Sequence, residues 1–291
     1  MEASAPRSAL ENWKAFAKAL DKQCAALAYV YTQDTDLPQI ESEGKEVKLC
    51  SFDANACLLN DPSKTASGRD ASPDERQLVL RHWMSLGGIL GALNIVTVQN
   101  LESAERVTVL LGLLGQGTPT DCSWSYVTSE TAVDKRFHAI FVRSPLKISR
   151  YSTWAFADGM FFDCPPLQAL ISTPTNDLFS VSATSLSTDE RKVFFDGYDE
   201  RVVTEFNICG IKDAKKKKKS AIHVISGRFL EDSQDFLLQA PIEAVDNVLV
   251  DVKTLIKTPH ECSALKLVSK PDETADFGLN DAFPLVLSLE I

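Results

Sequence analysis

Apolar side chains recur at steps of three and four residues near the start of the chain, a spacing that predicts an amphipathic N-terminal helix. The positions that form this apolar stripe are Trp13, Phe16, Ala17, Leu20, Cys24, Leu27, Ala28 and Tyr31. A second helix is predicted to begin at Pro73, because Ser72 can cap it and Glu75 can complete a capping box. A third helix is predicted over 101–114, before a glycine-rich segment.

The pattern changes after Gly117, where aromatic and β-branched residues gather in short runs typical of half-buried strands. The predicted strands of this second part are 123–127, 136–143, 147–156, 178–184, 201–212, 221–230, 248–256, 264–269 and 283–291. Extended pieces are also predicted at 46–52, 56–59 and 94–98, and a short helix at 165–171. The segments 201–212 and 221–230 each alternate with period two, which predicts a hairpin.

These elements predict an α+β fold. A helix-rich N-terminal part, residues 1–117, is expected to pack with a mainly antiparallel, strand-rich C-terminal part, residues 118–291. With 291 residues, the two regions can form two domains or one continuous domain, and either arrangement can bury a substantial core.

Composition excludes disorder and fibrous repeats, since 44% of the residues are hydrophobic and 24% are charged. The seven cysteines form no CxxC pair, and the first twenty residues lack the apolar core of a secretory signal. Both features predict reduced thiols in the cytoplasm or nucleus. The uncharged stretch 82–101 contains several polar side chains, which favours a buried helix and strand in a soluble protein over a membrane span.

Charge is distributed unevenly, with a net charge of −2 over residues 1–150 and −8 over residues 151–291. The acidic half nevertheless contains a lysine run, formed by Lys215, Lys216, Lys217, Lys218 and Lys219. Five adjacent ammonium groups can bind phosphates or an acidic partner, and they can also act as a nuclear import signal. The alternative is a solvated hairpin tip that blocks edge pairing.

The best position for a catalytic carboxylate is the aromatic segment 154–164, which contains Asp158 and Asp163. Carboxylates among aromatic rings can acquire separated pKa values, as acid–base pairs require. Ordinary turn and capping roles explain the same two residues. His138 lies in a predicted strand, and a dyad with Cys164 that assembles only in space remains open.

No motif for a metal or cofactor is complete. Asp196, Asp199 and Glu200 lack the further ligands of a calcium loop. The glycine-rich segment 112–117 lacks the lysine and hydroxyl residue of a phosphate loop, and the four histidines have no zinc-binding spacing. The sequence therefore predicts no cofactor and no metal site.

The lack of catalytic motifs favours a non-enzymatic interaction or assembly protein: a subunit, scaffold or structural component of a larger complex. It would act through a protein partner or by self-association. Two alternatives stay open. One is a hydrolase or transferase with a dispersed site around Asp158, Asp163 and His138, and the other is nucleic-acid binding through the lysine run.

Overall fold

The structure is a computed structural model. It describes residues 30–33, 46–54, 70, 72–73, 87–88, 90–129, 136–154, 156–157, 159–210, 222–229, 242–245, 248–251, 260–268 and 285–290. Strands in this described part form two large sheets and one small hairpin of β7 (Phe156–Ala157) with β8 (Met160–Phe161).

Sheet A has seven strands among the described residues, and they come from both the N-terminal and the C-terminal parts of the chain. Its order across the sheet is β1 (Val30–Gln33), β14 (His260–Val268), β15 (Leu285–Glu290), β2 (Glu46–Asp53), β3 (Ile95–Leu101), β5 (Phe137–Arg143) and β4 (Trp124–Thr128). Strands β2 and β3 are parallel, and every other neighbouring pair is antiparallel. The central strands β3 and β5 are buried along their whole length.

Sheet B has six strands in the part of the chain that the structure describes. Its order is β12 (Ile242–Val245), β13 (Val248–Asp251), β11 (Ile222–Phe229), β10 (Leu178–Leu186), β9 (Leu167–Ser172) and β6 (Lys147–Thr153). Strands β10 and β11 are parallel, so the chain must cross over between them. The described part of that crossover is a helix with a π-helical turn at its end.

Helices cover the outer faces of both sheets. Helix α1 (Ala104–Gly117) packs Val107, Leu110 and Leu114 against sheet A. Helix α2 (Thr188–Arg201) continues into the π-helix Val202–Phe206 and packs its aromatic residues against sheet B. Helix α2 starts at a complete capping box, in which Ser187 and Glu190 satisfy each other's backbone N–H groups.

The main core lies between the two sheets. Sheet A contributes residues of β2, β3 and β5, and sheet B contributes residues of β9, β10 and β11. The buried members of this interlayer core are Val47, Leu49, Ile95, Ile140, Val142, Leu146, Leu167, Ala169, Ile171, Phe179, Val181, Ala183 and Val224. The order of layers is therefore helix, sheet, sheet, helix. No helix in the described residues is long and apolar enough to cross a bilayer.

The predicted fold class is wrong. The described part of the chain is mainly β, and its residues before 118 place β1, β2 and β3 in sheet A beside the long helix α1. Most of the predicted N-terminal stripe lies outside the described residues, and its last member, Tyr31, lies in β1. Local periodicity could not show that β2 pairs with β15 from the far end of the chain.

Two local predictions are also wrong. Residues 165–171 are largely strand β9, not a short helix. Residues 201–206 end helix α2 and form the π-helix, so the predicted hairpin with 221–230 does not exist. Val202 and Phe206 have the composition of a strand, but burying them beside Trp154 keeps this segment helical until Asn207 ends it in a left-handed conformation.

Candidate functional site

The space between the sheets changes from apolar to polar along the strands. Side chains two residues apart share a face of a strand, so Ser51 and Asp53 follow Val47 and Leu49 on the inner face of β2. In β3, Thr97 and Gln99 follow Ile95 in the same way.

Hydrogen bonds join these inner polar groups within and across the sheets. Thr97 Oγ1 lies 2.7 Å from Ser226 Oγ of sheet B. Gln99 Nε2 donates to Ser51 Oγ at 3.2 Å within sheet A. Buried polar groups cost stability unless they are paired, so this polar end is a built feature of the fold and not a packing fault.

Five polar residues meet at this end of the interlayer, and we call them the sheet-end cluster. They are Asp53, Asn100, His138, Cys164 and Ser185. The cluster forms here because β2 and β3 run parallel and end together, while the antiparallel β5 starts at the same edge. Ligands commonly bind outside the carboxyl ends of parallel strands.

Asn100 is the centre of the cluster. Its Nδ2 donates to Asp53 Oδ2 at 2.9 Å and to Ser185 Oγ at 3.3 Å, so one amide connects both sheets. A register shift between Val98 and Leu101 interrupts the pairing with β5, and Asn100 adopts a left-handed conformation with φ of 57°. Bulges of this kind re-aim side chains next to functional sites, and asparagine tolerates the conformation better than most residues.

The amide oxygen of Asn100 is also distinctive. Oδ1 is buried and has no hydrogen-bond partner among the described residues. An unpaired buried acceptor costs about 1–3 kcal/mol, which a bound donor group would recover. Asp53 is 8% exposed and Ser185 is partly exposed, so these two residues connect the cluster to solvent.

An imidazole and a thiol form the inner part of the cluster. The backbone N–H of Asn100 donates to Nδ1 of His138 at 3.4 Å, and Cys164 Sγ lies 3.8 Å from the same nitrogen. A backbone N–H can only donate, so Nδ1 is the acceptor and the neutral ring carries its proton on Nε2. Both side chains are buried, with His138 0% and Cys164 2% exposed.

The site residues predicted from the sequence do not all lie in one place in the structure. It brings His138 and Cys164 together, the dyad that the sequence left open. Asp163 is exposed, and its backbone N–H donates to Glu190 Oε1 at 2.6 Å. Asp158 and the lysine run Lys215–Lys219 lie outside the described residues.

Sequence reasoning missed Asp53, Asn100 and Ser185. The signal that could have found them is a polar residue at the end of an apolar run. Asp53 ends β2, and Asn100 and Ser185 are each the second-last residue of their strands. Three strands ending in this way predict a shared polar edge only if their order in the sheets is known.

Another buried histidine, His223, belongs to a structural network on the outer side of sheet B. Its Nδ1 lies 2.7 Å from Ser180 Oγ, and its Nε2 lies 2.8 Å from the carbonyl oxygen of Cys209. Tyr198 hydroxyl lies 3.0 Å from the same Ser180 Oγ. Burial raises the pKa of Tyr198 to about 12, and a smaller opposing effect comes from its hydrogen bonds.

The sheet-end cluster does not fit a tightly bound divalent cation. No group of three His, Cys, Asp or Glu side chains converges within the described ranges. Asp53 is the single carboxylate of the cluster, and Asn100 presents its N–H group, not its oxygen, to that carboxylate. Magnesium and calcium require several oxygen ligands, which these residues do not supply.

Comparison with known proteins gives no match to a family model or to a curated protein sequence. Solved structures do match. TDP2 of D. rerio aligns over 84% of this chain and 99% of its own with a TM-score of 0.51, at 14% identity for a humanized form and 13% for a complex with single strand DNA product.

Two further structures align with lower scores. A Leptotrichia buccalis protein of the endonuclease/exonuclease/phosphatase family covers 84% of this chain and 100% of its own, with 10% identity and a TM-score of 0.46. ANGEL2, a 2',3'-cyclic phosphatase, covers 91% of this chain and 99% of its own, with 9% identity and a TM-score of 0.49.

The similarity to TDP2 shows a shared fold, and it corrects the predicted function. The interpretation as a non-enzymatic scaffold, subunit or structural component is wrong, because it rested on the absence of local catalytic motifs. In this chain the polar residues of the sheet-end cluster come from separate strand ends and leave no local motif.

Proposed function

We propose that this chain is an enzyme of the nuclease and phosphatase class that hydrolyses phosphate esters in nucleic acid. The observation that carries the proposal is the convergence of Asp53, Asn100, His138 and Ser185 at one end of the interlayer. The fold supports it, since TDP2 shares this fold and its solved complex contains a single strand DNA product.

Asp53 is the residue best placed to activate water. Asp53 is 8% exposed, and the Asn100 amide fixes the orientation of its carboxylate through a 2.9 Å hydrogen bond. Asp53 would take a proton from water as the water oxygen attacks phosphorus. The ester P–O bond breaks, and the departing oxygen takes a proton from solvent. Ser185 can donate a hydrogen bond to a phosphate oxygen, and His138 holds the backbone of Asn100 in place.

A second candidate is recognition of a nucleic-acid strand without hydrolysis. It is favoured by the single carboxylate of the cluster, one oxygen of which already accepts a hydrogen bond. Such a protein would bind the strand end and leave its ester bonds intact. A contribution of the lysine run Lys215–Lys219 to nucleic-acid binding stays a prediction.

Turnover by wild type and by Asp53→Asn tests the proposal. The substrates are bis(p-nitrophenyl) phosphate, p-nitrophenyl phosphate and an end-labelled single-stranded oligonucleotide. Removing a general base lowers kcat/KM by roughly 100-fold or more, and we expect a loss of this size for Asp53→Asn. Asp177→Asn is the matched control, because Asp177 is an exposed carboxylate in the turn before β10, at the opposite end of that strand from Ser185.

Equal turnover by wild type and Asp53→Asn would show that the measured activity does not come from this cluster. Binding of the oligonucleotide with no turnover by wild type would favour the second candidate. Thermal unfolding of both variants shows that each one is folded.

We also propose a nuclear or cytoplasmic location. A protein that acts on nucleic acid must reach it, and Cys122 and Cys209 are thiols that form no disulfide with any described residue. Free thiols persist in reducing compartments. Microscopy of a fluorescent fusion is the direct measurement, and a secreted fusion would contradict this location.

A further inference from the structure

A groove opens along the side of the two-sheet sandwich, where one edge of each sheet meets the other. Strand β4 is at the edge of sheet A, and β6 is at the edge of sheet B. The groove has a volume of about 780 Å³, and its walls are residues 125–127 of β4, residues 147–152 of β6, and Glu205 and Phe206 of the π-helix. We call it the edge groove.

Two tyrosines line the edge groove and are unusually exposed for aromatic side chains. Tyr126 of β4 is 46% exposed, and Tyr151 of β6 is 58% exposed. The ring of Tyr126 packs against Phe141, a residue of the core under helix α1, with a centroid distance of 5.7 Å. Exposed aromatic rings on a rigid strand are platforms on which nucleic-acid bases stack, at about 1–3 kcal/mol per base.

Two cations accompany the tyrosines. Lys147 and Arg150 are exposed residues of β6 in the groove wall. Arg150 Nη1 donates to the backbone carbonyl of Glu205, another residue of the groove wall, at 3.2 Å. The one acidic wall residue, Glu205, forms an ion pair with Arg201 at 2.6 Å. The groove is therefore locally positive in an acidic protein, and charges act over about 8–10 Å at physiological salt.

Both walls of the edge groove run toward the sheet-end cluster. On β4, residues 125–127 lead to Ser129, whose Oγ accepts the backbone N–H of His138 at 2.9 Å. On β6, Thr153 pairs with Leu167, three residues after Cys164. At a rise of about 3.3 Å per residue, the four steps from Ser125 to Ser129 span about 13 Å. The end of a nucleic-acid strand bound in the groove can therefore reach the cluster.

We infer that the edge groove binds single-stranded nucleic acid, with bases on Tyr126 and Tyr151 and phosphates at Lys147 and Arg150. This inference rests on the proposed function only for hydrolysis at the end of the bound nucleic-acid strand. Binding in the groove is measured separately from turnover. An extended peptide can also add to an edge strand. The two cations and two exposed rings favour nucleic acid, since a peptide strand needs neither.

Fluorescence anisotropy with a labelled oligothymidylate tests the aromatic contacts. The full-length protein is titrated as wild type, as Tyr126→Ala with Tyr151→Ala, and as Tyr126→Phe with Tyr151→Phe. We expect the alanine variant to raise Kd at least about 10-fold and the phenylalanine variant to bind within about 3-fold of wild type, because only the former loses stacking. Phe161→Ala is the control, since Phe161 is a 75% exposed aromatic residue outside the groove walls.

The salt dependence of Kd tests the charged contacts. For single strands the slope of log K against log salt is about −0.7 per phosphate contact. Lys147→Gln with Arg150→Gln should therefore reduce the slope by about 1.4, while Lys192→Gln, an exposed residue of α2, should not change it.

Three results would overturn the inference: no binding by wild type, an unchanged Kd for the alanine variant, or equally tight binding of a duplex of the same length. Oligonucleotide binding that depends on the groove but occurs without turnover would support the groove and contradict only the proposed hydrolysis.

Discussion

Asn100 shows how one residue can combine structural strain with function. Its left-handed conformation and its place in a bulge both oppose regular sheet, yet its amide connects Asp53 of one sheet to Ser185 of the other. Such conformations cost about 1–3 kcal/mol and persist only when the surroundings fix them. We therefore interpret Asn100 as the residue that orients Asp53.

Replacing the central amide by a carboxylate tests this interpretation. In Asn100→Asp the hydrogen bond to Asp53 is lost and two carboxylates are placed next to each other, so we expect a loss of about 2 kcal/mol at neutral pH. Asn176→Asp is the matched control, because Asn176 has φ of 66° but lies in an exposed turn. Urea unfolding measures both, and equal stability of the two variants would contradict the assigned orientation of the amide.

The buried hydroxyl of Tyr198 makes a prediction about alkaline pH. Burial raises its pKa to about 12, whereas an unfolded tyrosine titrates near 10. The unfolded chain therefore ionises first, so the contribution of Tyr198 is complete below pH 10 and is lost as pH rises toward 12. The loss is about 3 kcal/mol for a difference of about two units.

Tyr198→Phe should remove this part of the pH dependence, because phenylalanine does not titrate. Tyr151→Phe, at a tyrosine that is 58% exposed, should leave it in place. The free energy of unfolding of wild type and both variants is measured between pH 9 and about pH 12, the two ends of this titration. An identical alkaline decline in wild type and Tyr198→Phe would show that another group causes it.

At the scale of elements, the parallel pair β10 and β11 determines where the polar edge lies. The two strands approach closely at Gly227, where an added β-carbon would overlap the backbone carbonyl of Thr184. Thr184 directly precedes Ser185 of the sheet-end cluster. The absence of a side chain at Gly227 therefore positions the sheet B half of the cluster.

Gly227→Ala should destabilise the protein by about 1–3 kcal/mol, because the strands must separate to admit the methyl group. Gly115→Ala is the control: Gly115 lies in α1, nothing lies within 4 Å of an added β-carbon, and alanine favours helix by about 0.5–1 kcal/mol. Chemical denaturation measures both. A Gly227→Ala variant as stable as wild type would contradict the close approach.

At the scale of the whole molecule, the interlayer core holds the two sheets together. Val181 of β10 is fully buried there, whereas Val203 of the π-helix is 43% exposed. We expect Val181→Ala to lower the free energy of unfolding by about 2 kcal/mol and Val203→Ala by less than about 0.5 kcal/mol. Since the core joins both sheets, far-UV and tryptophan signals should change in one transition, and separate transitions would contradict a shared core.

Local patterns in the sequence determined many elements of this protein. The strands predicted at 46–52, 94–98, 123–127, 136–143 and 178–184 are confirmed within a few residues, and the helix predicted at 101–114 corresponds to α1. Side-chain periodicity and β-branched composition are local properties, so they can be read without knowing the fold. The sequence also placed His138 and Cys164 among possible partners.

Only the tertiary structure shows which strands are neighbours, and the order of the strands determines which residues form the site. Asp53, Asn100 and Ser185 are distant in sequence, and they meet because β2 and β3 are parallel and sheet B packs on sheet A. The same packing made 202–206 helical although its composition favours a strand. Strand order depends on contacts between distant segments, whose free energy no local pattern contains.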